Sequence, residues 1–420
     1  MTSRLTVSRG RSSGRWRNGR GSRQPSVLPT PAPPLGDVLA TIQHDDLENH
    51  KTDDQDCPQI TNAQYLTSYN WLNGADHEIL VPGEPPAWTP LSKPTKLPAD
   101  SGLYYRDKNA ARYPTYPLEP MVRAIRMDKP DFHLEELDIV GCRSTLGNLL
   151  RFTRGQSNPF RMLVEVVGNT VFFIRRENSP TETIPNVQGY GHTFPESYTT
   201  WSESARRSES HQRLITYDFA GMNCLVRFEA DGYLPDLIPD SLRIQKESVS
   251  NKSEIEPDDL LSAIEASTIS PIPSVTTDTE TTALQISEKG RYVPQCAIFD
   301  LKTRSAKKSG VDTFSEEAAR LWIRQIPNFI LAYHKFGTFD DIRVQDVRDE
   351  LKQWEESHQP ELVKFATLLK MVVSFTRSTE DGKLEIEHEE NAKELNLRRP
   401  GGVVNGVLPS SLINTIWGSE

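Results

Sequence analysis

The sequence predicts an α/β protein whose folded part sits inside a longer chain of 420 residues. Between residues 162 and 344, stretches of alternating apolar and polar residues are interleaved with stretches of helical periodicity. Strands and helices leave these two signatures, with periods of about 2 and 3.6 residues. The chain's beginning and one interior stretch are instead rich in Arg, Gly, Ser, Pro and Thr. With 30 prolines, 36 % hydrophobic residues and a mean hydropathy of −0.55, part of the chain has too little apolar surface to form a core.

Taken in order, residues 1–60 are expected to be disordered. Arg4, Arg9, Arg11, Arg15, Arg17, Arg20 and Arg23 lie among Ser and Gly, and Pro29-Thr30-Pro31-Ala32-Pro33-Pro34 follows. The basic part fits an Arg/Gly tail that contacts RNA or a mitochondrial presequence. Its glycines would spoil an amphipathic helix, which favours the tail. Residues 61–137, with Tyr65, Tyr69, Trp71 and the proline-flanked Trp88, read as an extended arm packed on the core.

The core domain is expected over 138–377. A helix at 146–152 precedes a hairpin of 162–167 and 171–175 that turns at Gly168-Asn169. Strands at 212–217 and 224–234 follow. Residues 236–290 read as a flexible acidic insertion, with Ser270-Pro271-Ile272-Pro273-Ser274 at its centre. Strand character returns at 295–303. The capping box Thr313-x-x-Glu316 introduces a helix that closes near Pro327, and Trp322 on it and Phe329 beyond it are expected in the core. A hairpin of 329–334 and 342–344 leads to amphipathic helices at 346–356 and 360–375, with Trp354, Leu362, Phe365, Leu368 and Val372 apolar. Residues 378–420 are read as a tail.

A net charge of −10 argues against a surface that coats nucleic acid throughout but leaves room for a local basic cleft. Cys57, Cys142, Cys224 and Cys296 show no CxxC spacing, so neither a zinc site nor a disulfide framework is implied. No apolar run is long enough to cross a bilayer and no secretory signal opens the chain. The expectation is an intracellular protein without a membrane partner, in the nucleus or cytoplasm, or in the mitochondrion if the basic start is a presequence.

In Leu225-Val226-Arg227-Phe228-Glu229-Ala230-Asp231, strand alternation turns Val226, Phe228 and Ala230 one way and Arg227, Glu229 and Asp231 the other. Phe299 and Leu301 face the core while Asp300 and Lys302 project together. Three acids and a lysine on adjacent strands suit Mg²⁺ or Mn²⁺, which would activate water and polarise a phosphodiester, with Lys302 orienting the nucleophile. Each tripeptide alone is more simply a solvated strand face with salt bridges, because E-x-D and D-x-K recur by chance.

The order of the pieces is more specific. An acid-x-acid strand, an Asp-x-Lys strand and a helix carrying Gln325 resemble the PD-(D/E)XK nuclease superfamily. The stretch 138–346 resembles, more narrowly, the DXO-type eukaryotic decapping and 5′-end exoribonuclease family. The matching pieces are Cys142-Arg143-Ser144-Thr145-Leu146, the 162–175 hairpin, Gly191-His192-Thr193-Phe194-Pro195-Glu196, Glu229-Ala230-Asp231, Asp300-Leu301-Lys302-Thr303-Arg304 and Leu321-Trp322-Ile323-Arg324-Gln325. A fungal branch is similar through Tyr69-Asn70-Trp71-Leu72 and Gly189-Tyr190-Gly191-His192. The prenyl diphosphate synthase label carried by some of its members does not suit this chain, which has no DDxxD.

The resemblance implies a mixed central sheet flanked by helices. It also implies metal held by Glu196, Asp231, Asp300 and the Leu301 carbonyl, and a metal-bound water held by Glu229. Lys302 and Gln325 would position water and phosphate, and Arg143 would contact substrate phosphate. Asp300 stands where the family has Glu, and Pro195 interrupts the aromatic-Glu segment. His192 and His211 flank the site as structural or substrate-contacting groups. The function expected is metal-dependent phosphodiester hydrolysis on RNA, such as 5′-end processing or decapping. The alternatives are a non-catalytic RNA-binding or scaffold protein that retains the fold, and a DNA nuclease of the same superfamily.

Overall fold

A computed structural model describes residues 30–49, 57–74, 77–156, 158–242 and 283–418. The arginine-rich start and the greater part of the expected insertion lie outside the described residues. The strands, in chain order, are β1 (Val38–Gln43), β2 (Ile60–Leu72), β3 (Glu78–Gly83), β4 (Ala87–Trp88), β5 (Ile139–Cys142), β6 (Phe160–Val167), β7 (Thr170–Arg175), β8 (Thr199–Thr200), β9 (Ser208–Phe219), β10 (Met222–Glu229), β11 (Gly232–Tyr233), β12 (Gln285–Gly290), β13 (Ile298–Ser305), β14 (Asn328–Lys335), β15 (Thr338–Asp346), β16 (Lys383–His388) and β17 (Glu394–Arg398). The helices are α1 (Asp46–Asn49), α2 (Lys108–Arg112), α3 (Glu119–Asp128), α4 (Arg143–Thr153), α5 (Thr193–Tyr198), α6 (Thr313–Arg324), α7 (Arg348–Ser357), α8 (Gln359–Ser378) and α9 (Ser410–Trp417).

Among the described residues, eleven strands form one mixed sheet in the order β1-β17-β16-β6-β7-β5-β10-β9-β2-β3-β12. Six form a second, in the order β15-β14-β13-β11-β4-β8. Strand alternation gives the large sheet two apolar faces. From β10, Cys224, Val226 and Phe228 enter one core with Leu146 and Leu149 of α4, Trp322 of α6 and Phe365 and Leu368 of α8. Leu225 faces the other way, toward Met121 and Ile125 of α3. The small sheet buries Phe299, Leu301, Ile330 and Phe339 against Phe194 and Tyr198 of α5. The result is the expected mixed α/β architecture with helices flanking the sheets, and Trp322 and Phe329 are core residues.

The expected long strand 224–234 is two strands in two sheets. β10 ends at Glu229 in the large sheet, and β11 pairs antiparallel with β13 (Gly232↔Phe299) and parallel with β4 (Tyr233↔Ala87) in the small one. Gly232 permits the switch, since a Cβ there would lie 2.5 Å from Phe299 Cζ and 2.7 Å from the Pro86 carbonyl oxygen. Asp231 therefore sits at the seam between the sheets.

Four segments read as tail, arm or insertion contain sheet strands. The expected arm contributes β2, which is paired to β9, and Tyr69 and Trp71 on it are fully buried with both polar tips donating to Asn109 Oδ1. The expected disordered start contains β1, and the expected insertion ends in β12, parallel to β3. The expected C-terminal tail supplies β16 and β17, whose Leu384, Ile386, Leu395 and Leu397 enter the main core. Their alternation is short and offset by charged partners such as Glu385 and Glu387, which hides it in a hydropathy average. The cap of α6 is Asp312 rather than Thr313, its carboxylate accepting from the Ser315 N–H. The four cysteines are free thiols. No helix among the described residues is long and apolar enough to cross a membrane.

If β16 belongs to the core, Ile386→Ala should lower the unfolding free energy by about 2–5 kcal/mol in urea titrations. Val403→Ala, at a fully exposed position of the same C-terminal segment, should stay within about 0.5 kcal/mol of the parent. Equal small effects would return the segment to the status of a tail.

Candidate functional site

A cleft of about 860 Å³ opens where the two sheets meet. The β11–β13 register, Gly232 against Phe299, brings Asp231 opposite Asp300 at the next step. The Leu301 N–H donates to Asp231 Oδ2 at 2.7 Å. Phe299 and Leu301 point into the small core, so Asp300 is turned to the cleft side yet almost fully buried. Its two oxygens are taken by α6: Arg324 Nη1 donates to Oδ1 at 2.9 Å and Arg320 Nη2 to Oδ2. These arginines are one helical turn apart and so share a face. Burial and the Asp300 charge push the Asp231 carboxyl well above the usual range. Against its own burial, Asp300 is held well below that range by Arg320 and Arg324. Asp231 therefore takes up a proton more readily than an isolated carboxylate, and Asp300 less readily.

Lys302 and Glu229 of the sequence motifs are also paired. Lys302 Nζ lies 2.8 Å from Glu317 Oε1, and Glu317 Oε2 lies 2.8 Å from Arg320 Nε. Glu229 accepts from Lys108 Nζ at 2.7 Å. Burial works against the Lys108 charge, but Glu229 keeps its pKa above the ordinary value. Glu196 is exposed on α5 at the cleft rim. His192 stacks flat on Tyr104, ring centroids 3.5 Å apart, and its N–H and that of Thr193 donate to Asp100. His211 is buried in the cleft wall with Nδ1 2.6 Å from Asn70 Oδ1 and Nε2 without a partner, and burial holds its pKa well below the ordinary value. Arg143, the first residue of α4, makes no hydrogen bond or ion pair with the described residues. Burial, with Arg324 and Arg320 nearby, pushes its pKa down to about 10.

Gln325 does not join the site. It stands past the end of α6 in the left-handed conformation (φ 49°), its amide donates to the Trp322 carbonyl at 2.7 Å, and its own carbonyl accepts from Gln295. It ends the helix instead, and Arg324, one residue earlier, takes the position facing Asp300. Sequence reasoning missed Arg320 and Arg324, although their i, i+4 spacing on the capped helix was a usable signal. Lys108 left none, because 121 residues separate it from Glu229.

Mg²⁺ and Mn²⁺ bind through several oxygens, chiefly carboxylate, carbonyl and water. Here both Asp300 oxygens face guanidiniums, Asp231 accepts an N–H, and Glu229 is held by Lys108. Among the described residues no three His, Cys, Asp or Glu side chains converge tightly enough to hold a metal ion. The residues as placed do not fit a divalent cation. Arg320 and Arg324 supply the positive charge at the acid pair.

The fold is mixed α/β, with an acid pair and an Asp-x-Lys strand at the seam of its two sheets. The chain belongs to the family described as "Domain of unknown function (DUF8563)", which matches residues 38–417. No curated protein sequence matches it. Its fold is similar to that of Rai1, of the DXO-type family that the motifs resemble. The S. pombe Rai1 structure superposes with a TM-score of 0.54 at 10 % identity, over 86 % of this chain and 99 % of that one. Scheffersomyces stipitis Rai1 in complex with (3′-NADP)⁺ and calcium gives 0.53 at 9 % identity, over 88 % and 94 %. Candida albicans Rai1 in complex with pU5 and Mn²⁺ gives 0.50 at 10 %, over 86 % and 96 %. At these identities the likeness is one of fold.

Removing one partner from a buried ion pair leaves an uncompensated charge, so Arg324→Gln should cost about 3–5 kcal/mol in denaturant titrations. The double variant Arg320→Gln/Arg324→Gln should gain Mn²⁺ binding in calorimetry over the parent. A parent that binds Mn²⁺ as tightly as the double variant would show that the guanidiniums do not hold the acid pair.

For His211, the folded pKa lies below the unfolded value of about 6.5. Between the two, only the unfolded chain takes up a proton, so stability is lost as pH falls below about 6.5, by up to about 1.4 kcal/mol per pH unit. His211→Gln should remove this part of the acid-side decline. Unfolding curves at neutral and mildly acidic pH that shift equally for both proteins would refute the assignment.

Proposed function

We propose that this chain binds RNA by drawing its phosphate groups into the cleft between the sheets, and that this binding needs no divalent metal. The observation that carries the reading is the charge around the acid pair. Arg143, Lys302, Arg320 and Arg324 face Asp300, Glu317 and Asp231, and Arg143 is left without a partner. The whole cleft is lined by ten lysines and arginines against seven carboxylates, in a chain of net charge −10. A phosphate oxygen beside Arg143 would complete this cluster through charge-assisted hydrogen bonds. The Tyr104–His192 stack at the rim offers a flat face to a base. The ligands of the structural relatives support the same chemistry: C. albicans Rai1 holds pU5 with Mn²⁺, and S. pombe Rai1 holds 3′-FADP. The Arg/Gly-rich start favours RNA over DNA, and an intracellular site of action goes with that ligand.

Metal-dependent phosphodiester hydrolysis, as in 5′-end processing or decapping, is the second reading. It is favoured by Asp231 facing Asp300 with Lys302 on the same strand, and it requires Arg320 and Arg324 to release Asp300.

Fluorescence anisotropy with 5′-phosphorylated, 5′-hydroxyl and capped RNA and with DNA, in EDTA and in Mn²⁺, tests both readings. The expected result is binding of 5′-phosphorylated RNA in EDTA without cleavage, weakened about tenfold in Arg143→Gln, the loss of roughly one charge-assisted contact. No binding in EDTA would overturn the first reading. Mn²⁺-dependent cleavage that Asp300→Asn abolishes would establish the second.

A further inference from the structure

The cleft does not end at the acid pair. A second cavity of about 480 Å³ adjoins it, sharing Arg106, Arg143, Ser144, Arg175 and Arg320 as common wall. Its lining carries eight arginines against three glutamates. Most of these arginines are matched by carboxylates: Arg161 and Arg176 pair with Glu385, Arg175 with Glu177, and Arg320 with Asp300 and Glu317.

Three arginines of α4 and its C-cap are not. Arg143 has no partner, Arg151 bonds only to Asn148 Oδ1 and keeps a buried Nε without an acceptor, and Arg154 lies over the Trp354 ring at 5.6 Å. Residues 143, 147, 151 and 154 recur at helical spacing, so these arginines form one stripe along one face of α4, about 16 Å long at 1.5 Å per residue. Gly147 lies between them, and a Cβ there would meet only Ile323 Cδ1, at 3.9 Å. The floor of the stripe is therefore open where a side chain would otherwise stand. Arg143 and Arg154 are half-buried and Arg151 keeps one buried donor unmatched among the described residues, so three cationic side chains in line along a cavity match a row of anions.

We infer that the Arg143–Arg151–Arg154 stripe is a track for the phosphodiester backbone of a single-stranded nucleic acid whose end lies in the acid-pair cleft. The inference rests on the phosphate reading of that cleft and adds where the chain runs beyond it. At the spacing of backbone charges, the stripe spans about two or three phosphates. Recognition along it is electrostatic, so it selects single strands by their phosphates and is indifferent to base sequence.

The test is competition anisotropy in EDTA with 5′-phosphorylated mononucleotide, trinucleotide and hexanucleotide, as RNA and as DNA, together with hexaglutamate. In the parent, affinity should rise with length equally for RNA and DNA. R151Q/R154Q should bind the mononucleotide as the parent does and lose the gain with length. Its dependence of log affinity on log salt should fall by about 1.4, two single-strand contacts, while R151K/R154K keeps the parent slope. Should R151Q/R154Q fail to fold, Arg154→Glu carries the same test, because that side chain makes no hydrogen bond to lose. A parent without a gain in affinity with length, a gain that survives in R151Q/R154Q, or hexaglutamate competing as well as the hexanucleotide would each overturn the track. Loss of mononucleotide binding while the hexanucleotide still binds through Arg151 and Arg154 would instead strike the end-pocket reading and leave the track standing.

Discussion

Two carboxyl groups face each other at the point where β10 leaves the large sheet and β11 enters the small one, Asp300 almost fully buried and Asp231 half-buried. Burying an ion costs several kcal/mol even after relaxation, and burying two like charges in contact costs more. The fold meets this constraint in two ways. Burial and the neighbouring Asp300 make Asp231 easier to protonate, and α6 is aimed so that Arg320 and Arg324 both end on Asp300. Much else follows from that aim. Asp312 must start the helix where it does, Gln325 must turn out of it at positive φ, and Trp322 on the opposite face must fill the main core.

A guanidinium is not equivalent to a metal ion at such a pair. It stays protonated, its donors lie in a fixed planar fork, and its position is set by a helix that packs elsewhere. Charge supplied this way cannot be removed by chelation and does not bring waters to activate. One donor, Arg324 Nη2, is left buried and without a partner among the described residues, and such a donor suits an oxyanion. The same economy extends to Arg143, which Arg320 and Arg324 repel and no acid neutralises. An anion entering the cleft relieves that repulsion. Binding of phosphate is thus favoured by the electrostatics that stabilise the empty fold least.

What the sequence disclosed, and what it hid, divides by range. Alternation along β10 and β13 was legible, because which face a strand residue takes is a local property, and it placed Phe228 and Leu301 in cores and Glu229 and Asp300 on the cleft side. The break between β10 and β11 was not. A run of strand-forming residues does not tell which sheet each part joins, and the cue was one glycine whose need is set by Pro86 and Phe299. β2 and β12 were hidden for a related reason, since they pair with β9 and β3 far away in sequence, as the β16–β17 hairpin does with β6 and β1 on its two sides. The roles of the site residues depended on helix phase. A shift of one residue at the end of α6 exchanges Gln325 for Arg324 at the acid pair and changes the chemistry from neutral hydrogen bonding to fixed positive charge.

That exchange also limits what the likeness to Rai1 can carry. A likeness of fold at about a tenth of identical positions does not preserve what a site holds. In this chain the residue on β13 is Asp, one methylene shorter than the Glu of the DXO-type motif, and the shorter arm keeps its carboxylate close to the sheet, within reach of α6. Pro195 stands in the aromatic-Glu segment, and Glu196 lies exposed at the rim rather than beside Asp231. Each change alone could be absorbed. Together with Arg320 and Arg324 they point the same way, replacing open carboxylate oxygens by matched ion pairs and leaving the unmatched charge positive. On the phosphate reading proposed above, such a cleft continues along α4, where Arg143, Arg151 and Arg154 stand.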